Sequence, residues 1–284
     1  MPELPEVETI KNFLATKIVG RKIKKIEINS PKQFIGNPKD IEGLKIKSLE
    51  RTAKMILLKL EKNLSLLIHL KLTGQLVFAE IIKNNQAVFK HTIPFTGGNT
   101  LPGKTTRIIL WLNKGAVFFN DLRKFGWIKV IKNEEFRIKN LKEIGIEPLS
   151  TDFTVEVLQK ILAKTGRAIK VVLMDQTKIA GIGNIYANEI LWTAKINPQT
   201  PAKEIKNVKE LHCATIEVLK RGLKYQGSSA SDEAYIKPDG TPGSFQKYLE
   251  VYQQTGKSCP RCKTKIVRIN LAGRGTFLCP KCQK

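Results

Sequence analysis

The first eight residues carry the groups best suited to covalent chemistry, in the order Met1-Pro2-Glu3-Leu4-Pro5-Glu6-Val7-Glu8. Removal of Met1 would leave Pro2 with a free secondary amine. An α-amine has an ordinary pKa near ~8, so part of it is neutral and nucleophilic at physiological pH. Attack on a sugar carbon would give an iminium, which withdraws electrons, with Glu3 and Glu6 near enough to serve as acid or base. The same residues also suit the first turn of a helix, so both interpretations are open here.

The C-terminal part contains two Cys-x-x-Cys pairs separated by sixteen residues, which is a metal-binding spacing. Four thiolates predict a closed tetrahedral zinc site, and such a site is structural because no coordination position stays open for water. We therefore expect one structural Zn²⁺ and a β-hairpin that carries Arg274 between the pairs. The fifth cysteine, Cys213, is expected to be a buried thiol. The four predicted ligands are Cys259, Cys262, Cys279 and Cys282.

Two short loops carry side chains that could enter a DNA base stack. In Asp121-Leu122-Arg123-Lys124-Phe125-Gly126, an arginine and an aromatic residue lie on the same side of an extended loop. A cation beside an aromatic wedge can fill the gap that a flipped base leaves. Leu72, just before Thr73-Gly74, is a candidate second wedge. The alternative for Phe125 is a core position at a strand end, and the alternative for Leu72 is a core position.

The glycine turn at 181–184 is a candidate phosphate-binding site. Gly181 and Gly183 permit a tight turn with exposed amides between two predicted helices, and Asn184 is a good helix N-cap. Bare amides at a helix N-terminus favour phosphate. Lys54 precedes an apolar strand, where a lysine is usually only solvated, and a plain turn between helices is the alternative at 181–184.

The charge of the chain favours a polyanionic partner. Lys and Arg number 49 and Asp and Glu number 25, so the formal charge is 49 − 25 = +24, spread over the whole sequence. DNA or RNA is favoured over an anionic membrane surface, although a lysine-rich proteome would contribute to the same excess. No apolar run reaches the ~18 residues of a membrane span, and no signal peptide is recognisable. We expect a cytoplasmic protein that does not contact membranes.

The hydrophobic pattern predicts an α+β protein of several domains. Helical spacing from Pro5 to Val19 is followed by short strands between Ile23 and Ile131, which indicate a β-sandwich, with a loop at Thr92–Thr105. Helices are predicted at Thr154–Lys164, Ala168–Met174, Ile185–Thr193 and Ala202–Lys224. The predicted domains are a catalytic β-sandwich at 1–134, a linker at 135–151, a helical DNA-binding domain with a capping loop at 152–246, and a four-cysteine finger at 247–284.

Taken together, these motifs resemble the formamidopyrimidine-DNA glycosylase family, whose bifunctional base-excision repair enzymes also include endonuclease VIII. The resemblance covers nearly the whole chain and identifies the 181–186 turn as a helix-two-turn-helix motif and the C-terminal hairpin as a zinc ribbon. It implies that Pro2 attacks C1′ of the damaged nucleotide and forms a Schiff base. It also implies that Glu3 is the general acid and that Glu6 helps to hold the site.

The resemblance also implies roles on the DNA side. Lys54 is matched to β-elimination and the lesion phosphate, and Arg274 is matched to phosphate contact and δ-elimination. The remaining DNA-binding candidates are His91, Arg123, Phe125, Leu72, Lys170 and Asn184. The family usually carries Asp-His after the Lys-His of Lys90-His91, whereas Thr92-Ile93 follows here and the Thr92–Thr105 loop looks enlarged. The base-capping segment is expected at about residues 227–245.

The function implied is a monomeric DNA glycosylase and abasic-site lyase that removes oxidised purines, 8-oxoguanine and formamidopyrimidines, from damaged double-stranded DNA. The first alternative is an endonuclease VIII-like enzyme for oxidised pyrimidines. The second is a non-catalytic zinc-ribbon protein that binds nucleic acid.

Overall fold

The computed structural model describes residues 1–135, 144–229 and 235–284, which form two compact units. Unit 1 contains residues 1–135 together with 225–229 and 235–244, and unit 2 contains residues 144–224 and 245–284. Unit 1 is therefore discontinuous in sequence. The predicted domains group 225–244 with the helices, and part of the predicted linker at 135–151 lies outside the described residues, so the domain boundaries stay a prediction.

Unit 1 is built around two β-sheets that share one hydrophobic core, which confirms the predicted β-sandwich. One sheet has the strand order β1-β9-β10-β6 and the other β2-β11-β5-β4-β3. Ile108 of the first sheet and Ile56 of the second belong to the same buried cluster. The strands are β1 (Ile23–Ile28), β2 (Phe34–Ile35), β3 (Ile46–Thr52), β4 (Met55–Leu60), β5 (Leu64–His69), β6 (Gly74–Ala79), β7 (Ala87–Ile93), β8 (Gly98–Leu101), β9 (Thr106–Leu112), β10 (Ala116–Asp121) and β11 (Trp127–Lys132).

Helix α1 (Leu4–Ile18) closes the core of unit 1 and carries the candidate nucleophile just before its first residue. Val7, Ile10, Leu14 and Ile18 recur every three or four residues, so they form one buried face. This face packs on the sandwich core. The predicted helix is confirmed to within one residue at each end. A short helical turn, α2 (Asn133–Glu135), follows β11.

The prediction of a loop over Thr92–Thr105 is wrong for Thr92–Ile93 and Gly98–Leu101, which belong to the antiparallel strands β7 and β8, whereas residues 94–97 and 102–105 lie outside the strands. Ala87 is opposite Leu101, and Ile93 is opposite Gly98. Three glycines and two prolines give this stretch the composition of a loop. Strand pairing between β7 and β8 nevertheless satisfies its backbone, and this pairing is not visible in local composition.

Unit 2 contains four further helices: α3 (Val155–Ala163), α4 (Ile169–Leu173), α5 (Asn184–Thr193) and α6 (Val208–Lys224). The predicted start of the last helix at Ala202 is wrong. A separate 3-10 turn occupies Ala202–Glu204, and Ile205 is extended (φ −67°, ψ 112°), which prevents a continuous helix. Cys213 is exposed on α6, so the expectation of a buried thiol is also wrong.

The C-terminal hairpin of unit 2 consists of β12 (Val267–Leu271) and β13 (Arg274–Leu278). Ala272 and Gly273 join them with φ of +49° and +72°, the backbone conformation of a two-residue type I′ turn. Arg274, paired with Leu271, is therefore the first residue after the tip. Within the described residues, no helix combines the length and the apolar character that crossing a bilayer requires.

Candidate active site and metal centre

Pro2, Glu3 and Glu6 are all buried at the start of α1. The Glu6 carboxylate, 1% exposed, accepts a hydrogen bond from the Glu3 N–H at Oε2 and another from the Ser228 N–H at Oε1, each 2.8 Å long. Two N–H donors to one carboxylate hold its orientation firmly. The predicted helix start is thus confirmed, and the same hydrogen bond fixes the backbone next to the Pro2 nitrogen.

Lys54 lies in the turn between β3 and β4 and is only 4% exposed. Arg51 spans this turn, because Nη1 donates to the Ala53 carbonyl (2.8 Å) and Nε donates to Glu8 on α1 (2.9 Å). Burial raises the pKa of Glu8, but hydrogen bonds from Lys11 and Arg51 bring it below its ordinary value. Arg51 therefore ties the Lys54 turn to the helix that follows Pro2, a positioning role that the sequence pattern did not identify.

His69 lies at the end of β5, next to Trp127 of β11. Its Nδ1 accepts a hydrogen bond from the Lys71 N–H (3.0 Å), which requires the neutral ring. Burial, with the positive charges of Lys71 and Lys54, lowers the pKa of His69 to about 3. His69 is therefore neutral at physiological pH and adds no further positive charge beside Lys54.

One buried carboxylate, Asp121, holds both candidate wedge loops. Its Oδ2 accepts hydrogen bonds from Gln33 Nε2 (3.0 Å) and Gly126 N (2.8 Å). Its Oδ1 accepts hydrogen bonds from Thr73 Oγ1 (2.5 Å) and Arg123 N (3.2 Å). Asp121 is fully buried. The loop at 121–126 and the residue after Leu72 are thus anchored at the same point, an anchoring role that the sequence pattern indicated for neither Asp121 nor Gln33.

Arg123 and Phe125 project from this anchored loop. Phe125 is 52% exposed, and the Arg123 guanidinium carbon lies 5.0 Å from its ring centroid. Lys124 between them has a φ of +57°, so the loop turns sharply at that residue. Leu72 is partly exposed. The alternative that Phe125 is a core residue is therefore wrong, and the pair is available for contact with a ligand.

His91 lies exposed on β7, in the hairpin. A different residue contacts the Asp121 loop: Thr105, just before β9, is buried and its carbonyl accepts a hydrogen bond from the Asp121 N–H (2.9 Å). The segment between β7 and β9 therefore separates His91 in sequence from Thr105, which contacts this loop. A DNA-binding role for His91 remains a prediction.

In unit 2, the Gly181–Asn184 turn is held by Gln176. Its Nε2 donates to the carbonyls of Met174 and Ile182 (2.8 Å each), and its Oε1 accepts from the Gly181 N–H (2.9 Å). Gly181 has a φ of +84°, which favours glycine. One amide side chain thus fixes the turn from which α5 begins. The prediction of Asn184 as the N-cap is wrong, because Gly183 is extended and takes that position, which makes Asn184 the first helical residue.

Lys170 and Asn184 both bind the C-terminal hairpin beside Arg274. Lys170 is 1% exposed, and its Nζ donates to Thr276 Oγ1 (2.8 Å) and to the Gly275 carbonyl (3.1 Å). Asn184 Nδ2 donates to the same Gly275 carbonyl (3.2 Å). Unit 2 therefore brings together three predicted DNA-contacting residues, and the buried lysine secures the backbone that follows Arg274.

The four predicted zinc ligands converge at the base of this hairpin. Their sulfur atoms all lie within 4.8 Å of one another, and two of the Sγ–Sγ distances are 3.4 Å and 3.9 Å. A tetrahedral site with Zn–S bonds of ~2.3 Å requires Sγ–Sγ distances of about 3.8 Å. Burial and the neighbouring thiols raise the pKa of Cys282 to about 12, which disfavours its thiolate form. A divalent cation at the centre of the four sulfur atoms would stabilise the thiolate and remove this penalty. The donor set fits a structural zinc ion.

Arg261, within the first cysteine pair, attaches the finger to α5. Its guanidinium carbon lies 3.7 Å from the centroid of the Trp192 ring, and it donates to the Trp192 carbonyl (2.6 Å) and the Thr193 carbonyl (3.2 Å). A cation at a helix C-terminus is favourable because the last carbonyls lack partners within the helix. The metal centre is thus connected to the helix that begins at the glycine turn.

Three family models together match most of the chain. Residues 1–128 match the formamidopyrimidine-DNA glycosylase N-terminal domain, residues 144–234 the formamidopyrimidine-DNA glycosylase H2TH domain, and residues 256–284 a zinc finger found in FPG and IleRS. A formamidopyrimidine-DNA glycosylase of Desulfitobacterium hafniense is 38% identical over 291 residues, covering all of both chains.

Solved structures give the same result. A Lactococcus lactis FPG variant in complex with DNA containing Fapy-dG has a TM-score of 0.87 and 33% identity, with full coverage of both chains. The wild-type Lactococcus lactis FPG in complex with DNA containing an oxidised pyrimidine has a TM-score of 0.86 and 33% identity, also with full coverage.

Proposed function

This chain belongs to the formamidopyrimidine-DNA glycosylase family, and we propose that it excises oxidised purines from DNA with Pro2 as nucleophile. Its substrates are 8-oxoguanine and formamidopyrimidines, and it cleaves the strand at the resulting abasic site. The observation that carries this proposal is the buried Pro2-Glu3 start, where one oxygen of the Glu6 carboxylate accepts from the Glu3 N–H while the other accepts from the Ser228 N–H. The active form begins at Pro2, because a retained Met1 would turn the Pro2 nitrogen into an amide.

In the glycosylase step, the neutral Pro2 amine attacks C1′ of the damaged nucleotide. The bond from C1′ to the base breaks, and the base leaves with a proton supplied by Glu3 acting as general acid. The Pro2 nitrogen then loses its proton, the C1′–O4′ bond of the sugar ring breaks, and O4′ takes up a proton to become a hydroxyl, which gives the iminium between Pro2 and C1′. Burial of the site keeps water away from this intermediate and strengthens the charge interactions around it.

In the lyase step, the iminium withdraws electrons from C2′. A proton leaves C2′ and the bond from C3′ to its phosphate oxygen breaks; a second elimination then breaks the bond from C5′ to its phosphate oxygen. Lys54 and Arg274 stabilise the departing phosphates. Hydrolysis of the iminium returns free Pro2.

DNA binding combines a sequence-independent charge contribution with local distortion. The formal charge of +24 favours phosphate contacts whose strength falls as salt rises. Extruding a base costs a few kcal/mol, and Arg123, Phe125 and Leu72 offset this by occupying the gap. Asn184 and the glycine turn bind a backbone phosphate.

The four cysteines hold one structural zinc ion, which fixes the Arg274 hairpin. We further propose that the enzyme acts as a monomer in the cytoplasm.

Borohydride trapping on a duplex containing 8-oxoguanine opposite cytosine tests the nucleophile. Protein with Met1 removed should form a covalent adduct, because borohydride reduces the iminium to a stable amine. The matched control is the same chain with one extra residue before Pro2, which changes no side chain but converts the amine to an amide. This control should bind DNA and form no adduct. Equal trapping by both proteins would exclude Pro2, and no trapping by the trimmed protein would support a non-catalytic binding protein.

A second candidate function is the same chemistry on oxidised pyrimidines. The observation in its favour is that the similar Lactococcus lactis FPG has been solved with DNA containing an oxidised pyrimidine. Single-turnover excision of 8-oxoguanine opposite cytosine and of thymine glycol separates the two. A strong preference for thymine glycol would reject oxidised purines as the main substrates.

A further inference from the structure

The β7–β8 hairpin packs closely on residues 235–243, which belong to the same unit. Ile93 of β7 is fully buried in a cluster with Leu101 of β8 and Ile236. A Cβ added at Gly240, which has a φ of +84°, would lie 2.6 Å from Ile93 Cδ1. The hairpin and residues 235–243 are thus packed so closely that a methyl group at Gly240 would not fit between them.

Residues 235–243 are in turn bonded to residues 226–229. The Tyr235 hydroxyl donates to the Gln226 carbonyl (2.9 Å), and Ser229 Oγ donates to the Tyr235 carbonyl (2.8 Å). The Gly243 N–H donates to Ser229 Oγ (3.0 Å). A shift of residues 235–243 would therefore displace residues 226–229 as well.

Residues 226–229 reach the candidate active site at Glu6. Besides the hydrogen bond from the Ser228 N–H, a Cβ added at Gly227 would lie 2.8 Å from Glu6 Cγ, and the φ of Gly227 is +78°. Glu6 also binds the Glu3 N–H, one residue from Pro2. Close contacts thus run continuously from the hairpin to the catalytic N-terminus, all within unit 1.

We propose that the β7–β8 hairpin is a positioning element that holds residues 226–229 beside the damaged base, with Ile93 and Gly240 as the positioning residues at its contact. The proposal rests on the proposed function, because it takes Pro2 as the nucleophile. The base is bonded to the carbon that Pro2 attacks, so groups joined to Glu6 lie near the base before it leaves.

The two activities of the enzyme should respond differently to a change at this contact. Base excision requires the damaged base to be held while its bond to C1′ breaks, and misplacement by ~1 Å can cost about a hundredfold in rate. Strand cleavage at a preformed abasic site involves no base. The hairpin therefore affects excision selectively, whereas a general loss of stability would reduce both activities.

Gly240→Ala tests the contact, because its new methyl group meets Ile93 Cδ1. We expect single-turnover excision of 8-oxoguanine to fall by about tenfold or more, with cleavage of an abasic duplex within about twofold of wild type. The matched control is Gly43→Ala, since Gly43 has a φ of +83° and no atom within 4 Å of an added Cβ. This control carries the same backbone strain in the same unit and should leave the ratio of the two rates unchanged.

Ile93→Val combined with Gly240→Ala removes the clashing Cδ1 and should recover part of the lost excision. If Gly240→Ala does not fold, Ile93→Ala loosens the same contact and should lower the ratio of excision to abasic cleavage. Equal loss of both activities, or no loss in either variant, would overturn the proposal. Failure of the proposed function would be distinct, because the wild-type protein would then cleave neither duplex.

Discussion

Replacing Asp121 by asparagine should loosen both candidate wedge loops while keeping the shape of the side chain. The carboxylate accepts four hydrogen bonds, two at each oxygen, and is fully buried. An amide turns one oxygen into a donor, so two of the four contacts lose their acceptor. Thr73 can rotate its hydroxyl to accept instead, and it already accepts a hydrogen bond from the Arg123 N–H (3.0 Å).

The expected cost follows from these contacts. Hydrogen bonds to a charged group contribute ~1.5–3 kcal/mol each, and the Thr73 hydroxyl compensates part of the loss, so we expect unit 1 to lose about 2 kcal/mol. For a unit of this size, 1 kcal/mol shifts the melting temperature by ~2–4 °C, which predicts a decrease of about 4–8 °C. Asp121→Ala removes all four acceptors and should cost about 4 kcal/mol or more.

Thermal unfolding and single-turnover excision on a lesion duplex measure the two consequences. Asp40→Asn makes the same chemical change at an exposed residue of the same unit, and it should alter neither. If Asp121→Asn lowers stability by less than about 0.5 kcal/mol, the carboxylate does not anchor the loops as described. If stability falls but excision and lesion affinity do not, Arg123 and Phe125 are not needed in the gap.

Three further predictions concern other parts of the chain. Chelation of zinc, verified by metal analysis, should disorder the Arg274 hairpin and weaken DNA binding while unit 1 stays folded; retained lesion affinity would contradict it. The pKa of His69 is about 3 in the folded chain and 6.5 in the unfolded chain. The contribution of the neutral ring to the free energy of unfolding is therefore fully present above pH 6.5 and is lost as the pH falls toward 3. Between pH 7 and pH 5, urea unfolding should show a loss of about 2 kcal/mol that is absent in His69→Gln, and equal losses would refute this. Lys170→Met should destabilise unit 2 by about 1–3 kcal/mol and weaken DNA binding, because the Gly275 and Thr276 contacts lose their donor; unchanged binding would show that this lysine does not secure the hairpin.

The sequence alone was sufficient to predict those features that depend on residues close together along the chain. The two cysteines within each pair are separated by two residues, so the zinc ligands were identifiable from this spacing. The apolar period of α1 and the short apolar strands likewise reflect local geometry, and the structure confirms the helix and the β-sandwich. The residue types at Pro2, Glu3 and Glu6 indicated a candidate nucleophile and acid before their burial was known, and these catalytic roles stay a prediction.

The tertiary structure alone decided which distant residues hold these groups. Glu6 and Ser228 are 222 residues apart in sequence, and Gln33 and Asp121 are 88 apart. No local pattern indicates such contacts, because they depend on how strands pair and which side chains become buried together. The β7–β8 hairpin shows the same limit: its composition is that of a loop, and only strand pairing and packing against Ile236 make it an ordered part of unit 1.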